Sequence, residues 1–283
     1  MKIQANEVVL ITGCGSGIGK ALARAFHGQG FTVCATARRV DAMSDLERDG
    51  IQTLALDVTQ DEDIKRVLST LKLAGQQVGA LVNNAGYGAM GPLLNVPSKE
   101  WQRQFDVNVF APMALTRAVL PGMIDRGRGT VVNISSVSGV MPTPFAGAYC
   151  ASKAALNAAS DALRMELRPL GIDVVTVQPG GIQSSFGDRA ADQVNLARDS
   201  PYQAVRQGVL SRANESQEQA MPAAAFADAL VHQLKQPRPP AVIRLGKKST
   251  LMPLLKQMLP TALLDSILSK RFQLNRLSPR KDR

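Results

Sequence analysis

Cysteine and histidine are scarce: three cysteines and two histidines occur in 283 residues. Cys14, Cys34 and Cys150 are odd in number, widely spaced and embedded in regular stretches, which argues against a disulfide framework. His27 and His232 lie at no ligand spacing from a cysteine or a carboxylate pair, so no metal site is legible and metal catalysis is set aside. No unbroken run reaches the roughly 18 apolar residues of a membrane span, and Met1 to Glu7 contain no apolar export signal. The expectation is a cytoplasmic chain.

Acidic residues are nearly absent from one end. From Lys235 onward twelve basic residues stand against only Asp265 and Asp282, so the whole formal surplus of +10 lies there and residues 1–234 are net neutral. That asymmetry argues against a basic nucleic-acid-binding body and for a separate role of the tail.

What is present is a regular alternation. Apolar, β-branched runs at Val8–Thr12, Phe31–Ala37, Gln52–Val58, Ala80–Val82, Thr130–Ile134, Ile172–Val177 and Ala241–Leu245 are separated by helical stretches. Helices are expected over about 19–28, 61–74, 99–126, 149–170 and 222–236. Runs as continuously hydrophobic as Val8-Val9-Leu10-Ile11 suit strands buried on both faces. The pattern predicts an α/β fold, a doubly wound, parallel seven-stranded sheet with its ligand at the carboxyl ends of the strands. One domain over residues 1–248 is expected, followed by a basic amphipathic extension over 249–283.

Directly after the first run come Gly13, Gly15, Ser16, Gly17, Ile18 and Gly19, leading into a helix. Glycines at this place permit a tight turn and let backbone N–H groups reach a pyrophosphate at the helix N-terminus. Their G-x-x-x-G-x-G spacing differs from the common G-x-G-x-x-G fingerprint, and alone it fits a simple βα loop equally well. The second strand ends in Ala37, Arg38 and Arg39, where an NAD site would place an acid for the ribose hydroxyl. A guanidinium there can pair with a 2′-phosphate, which predicts NADP(H) over NAD(H).

Tyr149 and Lys153 lie four apart on a predicted helix and share a face. An ammonium beside a phenol favours phenolate, which would bring the tyrosine toward the range useful for proton transfer. Ser135, Ser136 and Ser138 are all candidates for a hydroxyl that stabilises charge on a substrate oxygen.

Taken in order, Thr12-Gly13-x-x-x-Gly17-x-Gly19, Asp57, Asn83-Asn84-Ala85-Gly86, Asn108, Ser136, Tyr149-x-x-x-Lys153 and Pro179-Gly180-Gly181-Ile182 resemble the classical short-chain dehydrogenase/reductase family. The likeness is close over about residues 5–185. It implies a Rossmann-type domain that interconverts a carbonyl compound and an alcohol, with Asn108, Ser136, Tyr149 and Lys153 catalytic. Ser136 is the serine it selects, and Asn108 would hold a water linking Lys153 to solvent. Asp57 and Val58 would meet the adenine, Asn84 and Gly86 would brace the sheet and touch the cofactor, and Pro179, Gly180 and Ile182 would bracket the nicotinamide. It also implies a substrate lid over about 183–221 and a homodimer or homotetramer.

Met141, Pro142, Phe145 and Phe186 are expected to line a mostly apolar substrate pocket. In the tail, Leu251, Leu254, Leu255, Met258, Leu263, Leu264, Ile267 and Leu268 fall at helical spacing, and Pro253 and Pro260 predict two short helices. Three placements stay open: packing on the protein or a partner subunit, covering the pocket, or lying on an anionic membrane surface. Such an ending is similar to the hydroxysteroid and retinol dehydrogenase side of the family, which favours a lipophilic ketone or alcohol. Other readings are a 3-oxoacyl thioester reductase, a non-catalytic NADP-binding sensor or scaffold, and an epimerase or dehydratase. The last is disfavoured by the absence of a large nucleotide-sugar domain, and the sensor by the intact catalytic set.

Overall fold

The computed structural model describes residues 3, 4, 6–184, 186, 194, 196–215 and 220–277. Seven strands form one sheet: β1 (Glu7–Thr12), β2 (Val33–Ala37), β3 (Gln52–Ala55), β4 (Gln77–Asn83), β5 (Gly129–Ile134), β6 (Ile172–Pro179) and β7 (Val242–Leu245). Every pairing is parallel and the order is β3-β2-β1-β4-β5-β6-β7. The strand order reverses direction between β1 and β4, and a crevice opens there at the carboxyl ends of the strands.

The alternation of side chains along each strand divides the core in two. Val9 and Ile11 of β1 join Leu22 and Phe26 of α1 (Gly17–Gly28) and Phe226 and Leu230 of α8 (Ala223–Leu234). Val8 and Leu10 point the other way, toward Val67 and Leu71 of α3 (Asp61–Leu73) and Leu115 and Met123 of α5 (Ala111–Asp125). Leu167, at the end of α6 (Gly147–Leu167), belongs to the same layer. A short α2 (Ser44–Arg48) follows β2 and was not expected from the sequence.

Two boundaries differ from expectation for local reasons. β3 stops at Ala55 instead of reaching Val58, because the Asp57 carboxylate accepts from the Thr59 N–H at 3.0 Å and the Thr59 hydroxyl at 2.7 Å, forming a turn that competes with the strand. The single helix expected over 99–126 is α4 (Ser98–Phe105) and α5 joined by a π-helical turn, Asp106–Phe110, that contains Asn108. By length and composition Ser98–Asp125 could cross a bilayer, but Ala111, Leu115, Val119 and Met123 are buried in the sheet's own core.

The tail forms the two short helices expected, α9 (Leu251–Met258) and α10 (Thr261–Arg271). One side of the pair packs on the protein itself: Leu264, Leu268 and Phe272 are buried with Met141, Phe145, Val205 and Val209. Val209 lies on α7 (Arg206–Asn214), and Gly208 makes the approach possible, since a Cβ there would sit 2.1 Å from the Phe272 carbonyl oxygen.

Candidate active site

The crevice is a cavity of about 890 Å³ that runs from the β1–α1 turn past α6 to the tail. Its first wall is the glycine turn. Gly13 and Gly17 have positive φ, and added Cβ atoms would press on the Ala85 backbone at 2.8 Å and the Ser184 Cβ at 2.9 Å. Asn84 ties this turn to the end of β4 by donating to the Thr12 and Gly13 carbonyls at 2.8 and 3.3 Å. Gly15, Ser16, Gly17 and Ile18 face the cavity beside the N-terminus of α1. Gly19 does not: it lies in the packing behind the turn, where a Cβ would meet Asn84 Nδ2 at 2.4 Å and the Gly13 oxygen at 2.5 Å.

At the end of β2, Ala37, Arg38 and Arg39 line the same cavity. Arg39 is ion-paired with Asp41, whereas Arg38 has no carboxylate partner among the described residues. Asp57 and Val58 complete this end, so the Arg38 guanidinium sits beyond a glycine turn, donors that suit the phosphates of a dinucleotide.

The chemistry-bearing residues converge at the other end. Gly139 lets the Ser136–Gly139 turn lie against α6, since a Cβ there would sit 2.6 Å from the Lys153 carbonyl carbon. Ser136, a strand-end residue that caps this turn through the Ser138 N–H at 3.1 Å, is thereby placed to hydrogen-bond the Tyr149 phenol. Tyr149 and Lys153 are buried, face the cavity and share a side of α6, as their spacing requires. Gly86 completes the wall, since a Cβ there would be 3.1 Å from Asn108 Oδ1 and 3.7 Å from Lys153 Nζ. Pro179, Gly180 and Ile182 line the cavity at the end of β6, and Gly180 allows the loop to meet the Lys247 carbonyl.

The expected electrostatics require correction. The Lys153 ammonium donates to the Ile134 carbonyl oxygen at 2.8 Å, and burial lowers its pKa to about 8. Burial raises the Tyr149 phenol to about 12, against opposing pulls from its hydrogen bond with Ser136 and from the charge of Arg212. Arg212 is a residue the sequence reading did not single out. The Asn108 amide donates to the Tyr87 carbonyl and the Ser152 hydroxyl, both at 3.0 Å, and its oxygen accepts from the Tyr87 N–H at 3.2 Å. The side chain thereby braces the loop after β4 against α6.

On the substrate side, Met141 and Phe186 line the cavity, and the Phe186 ring lies 5.5 Å from that of Tyr149. Phe145 does not line it. Its positive φ of 63° turns it into the cluster under the tail, where it meets Tyr202 edge-on at 6.0 Å, and Pro142 is exposed. The two ends of the expected lid are pinned together, with Gln183 N–H donating to the Met221 oxygen at 2.9 Å and Met221 N–H to the Gly181 oxygen at 3.0 Å. Much of what lies between, residues 185, 187–193, 195 and 216–219, falls outside the described residues. Thr143, Arg212, Glu215, Lys248 and Met252 also line the cavity and were not anticipated, because tertiary packing alone brings them there.

Fold, glycine turn and the Ser136–Tyr149–Lys153 grouping define a nucleotide-dependent oxidoreductase of the α/β class. The short chain dehydrogenase family model matches residues 7–195, and the chain belongs to that family of oxidoreductases acting on CH–OH groups. An NADPH-dependent 1-acyldihydroxyacetone phosphate reductase of Schizosaccharomyces pombe is 36% identical over 82% of this chain and 79% of its own. A short-chain dehydrogenase structure from Streptomyces avermitilis superposes with a TM-score of 0.77 at 31% identity, covering 99% of this chain and 100% of that one. The closed form of a serine dehydrogenase complexed with NADP+ gives 0.74 at 26% identity, over 86% and 96%.

Proposed function

We propose that the protein is an NADPH-dependent reductase of a lipophilic ketone or aldehyde, with Tyr149 as the proton donor. The observation carrying this reading is that Ser136, Tyr149 and Lys153 line one wall of a cavity whose far end is the glycine turn and Arg38. NADPH, when bound, supplies hydride. A phenol held near 12 is protonated at neutral pH and can give its proton to a carbonyl oxygen, while the Ser136 hydroxyl offers that oxygen a second donor. Arg38 supports NADP(H) over NAD(H), and both the yeast relative's name and the NADP+ complex are in keeping with it. Met141, Phe186 and Met252 support a lipophilic substrate. The test is NADPH oxidation against panels of aliphatic ketones, steroids, retinoids, quinones and acyl thioesters. Turnover of acyl thioesters alone would overturn the substrate reading.

Peripheral membrane contact is a second element of the proposal. Leu251, Leu254, Met258, Leu263 and Ile267 are exposed large apolar residues on α9 and α10, in the stretch that carries the basic surplus. Free, buried Cys14, Cys34 and Cys150 fit a reducing compartment such as the cytoplasm. Exposed Phe110 and Met165 support a homo-oligomer. Co-sedimentation with anionic but not neutral vesicles is expected, and its absence would remove the membrane element.

A further inference from the structure

The cavity wall beyond Tyr149 carries two cationic side chains, Arg212 and Lys248, beside one carboxylate, Glu215. Arg212, on α7, is buried at 6% exposure and lines the cavity together with Met141, Phe186 and Met252. Its guanidinium is held in place by neutral groups, donating to the Thr143 hydroxyl and, at 3.4 Å, to the Ser138 hydroxyl. Among the described residues its carboxylate neighbour is Glu215, at 3.8 Å. That carboxylate is already engaged by Arg271 at 2.6 Å and Lys248 at 3.4 Å. Three cations thus share one carboxylate, and two of them, Arg212 and Lys248, face the cavity.

A buried guanidinium is costly to leave undercompensated, and its planar fork of donors matches phosphate and carboxylate. Hydroxyl groups orient Arg212 without neutralising it. Its charge also reaches the Tyr149 phenol, which puts it within electrostatic range of the reacting oxygen. Apolar walls beside a fixed cationic corner suit a molecule with two different ends.

We infer that Arg212, assisted by Lys248, binds an anionic head, a phosphate or a carboxylate, on the lipophilic carbonyl substrate and so selects charged over neutral ketones. This rests on the proposed function only in taking the chamber beside Tyr149 as the substrate's. Glu215 then has a positioning part: it gathers Arg212, Lys248 of the β7–α9 loop and Arg271 of α10 into one corner.

The test measures binding to the full chain saturated with NADP+, so that the cofactor's own phosphate contacts are occupied. Dodecyl phosphate, dodecanoate and dodecanol are titrated by calorimetry below their aggregation limits. The expected result is that at least one anion binds about tenfold or more tighter than the alcohol, that added salt reduces the preference, and that Arg212→Met brings it near unity. Arg212→Lys is expected to keep part of the preference, and this variant with Lys248→Met serves should Arg212→Met fail to fold. The better of the two anions assigns the head group. Equal binding of anion and alcohol by the unaltered protein, or a preference untouched by the substitutions, would overturn the inference while leaving reduction of neutral ketones standing. Arg212-dependent anion binding without reduction of any carbonyl compound would instead sink the proposed function and keep the anion site.

Discussion

Lys153 Nζ lies 2.8 Å from the carbonyl oxygen of Ile134, the last residue of β5 and two before Ser136. The ammonium is thus anchored to the strand that presents the serine, and burial holds its pKa near 8 against 10.5 for the free side chain. Below pH 8 folding carries the full cost of the buried charge. Between about pH 8 and 10.5 the unfolded chain binds more protons than the folded one, so stability rises with pH. Urea unfolding at pH 7 and pH 9.5 is expected to show wild type gaining on Lys153→Met as pH rises. A constant gap would contradict the burial argument.

Tyr149→Phe removes the proposed proton donor but little volume. Turnover should fall by about a thousandfold or more, while NADP(H) affinity changes little. Stopped-flow or steady-state rates beside fluorescence titration of NADPH separate the two effects, and substantial remaining turnover would refute the assignment.

Arg38→Ala should raise the KM for NADPH about tenfold or more and leave that for NADH nearly unchanged, because only the 2′-phosphate loses a partner. A parallel rise for both cofactors would place Arg38 outside phosphate recognition.

Glu7 is 1% exposed, and its carboxylate meets Arg126 at 3.0 Å and Arg128 at 2.9 Å. Glu7→Ala leaves two guanidiniums without their anion at the base of the sheet. A loss of about 2–3 kcal/mol is expected by chemical denaturation, toward the low side for a buried pair because both arginines retain solvent. Unchanged stability would show that water replaces the carboxylate.

Strands and the Tyr149–Lys153 helix were legible because periodicity and composition are local properties: apolar runs need two buried faces, and a four-residue spacing shares one side of a helix. The glycine turn was legible for the same reason, although Gly19 serves packing and not the cavity. What failed depended on distant partners. The single helix expected over 99–126 is broken by a π turn whose Asn108 bonds to Tyr87 and Ser152, Phe145 is turned away by a positive φ, and Asp57 ends its strand through Thr59. Arg212 lies in a polar stretch without helical periodicity, and only the fold brings it to Thr143 and Tyr149.

The contact of Gly208 with Phe272 has a temporal consequence. The tail residues packed behind Arg212 follow Tyr149 by about 120 positions, so at roughly 5–20 residues per second the ribosome delivers Tyr149 several seconds before them. During that interval the nascent chain can assemble the sheet and the glycine turn, but Met141, Phe145 and Val209 lack the cover of Leu264, Leu268 and Phe272. A chaperone that recognises apolar surface would find its target on this face, and ribosome-bound chains stalled before residue 264 are where to look for it.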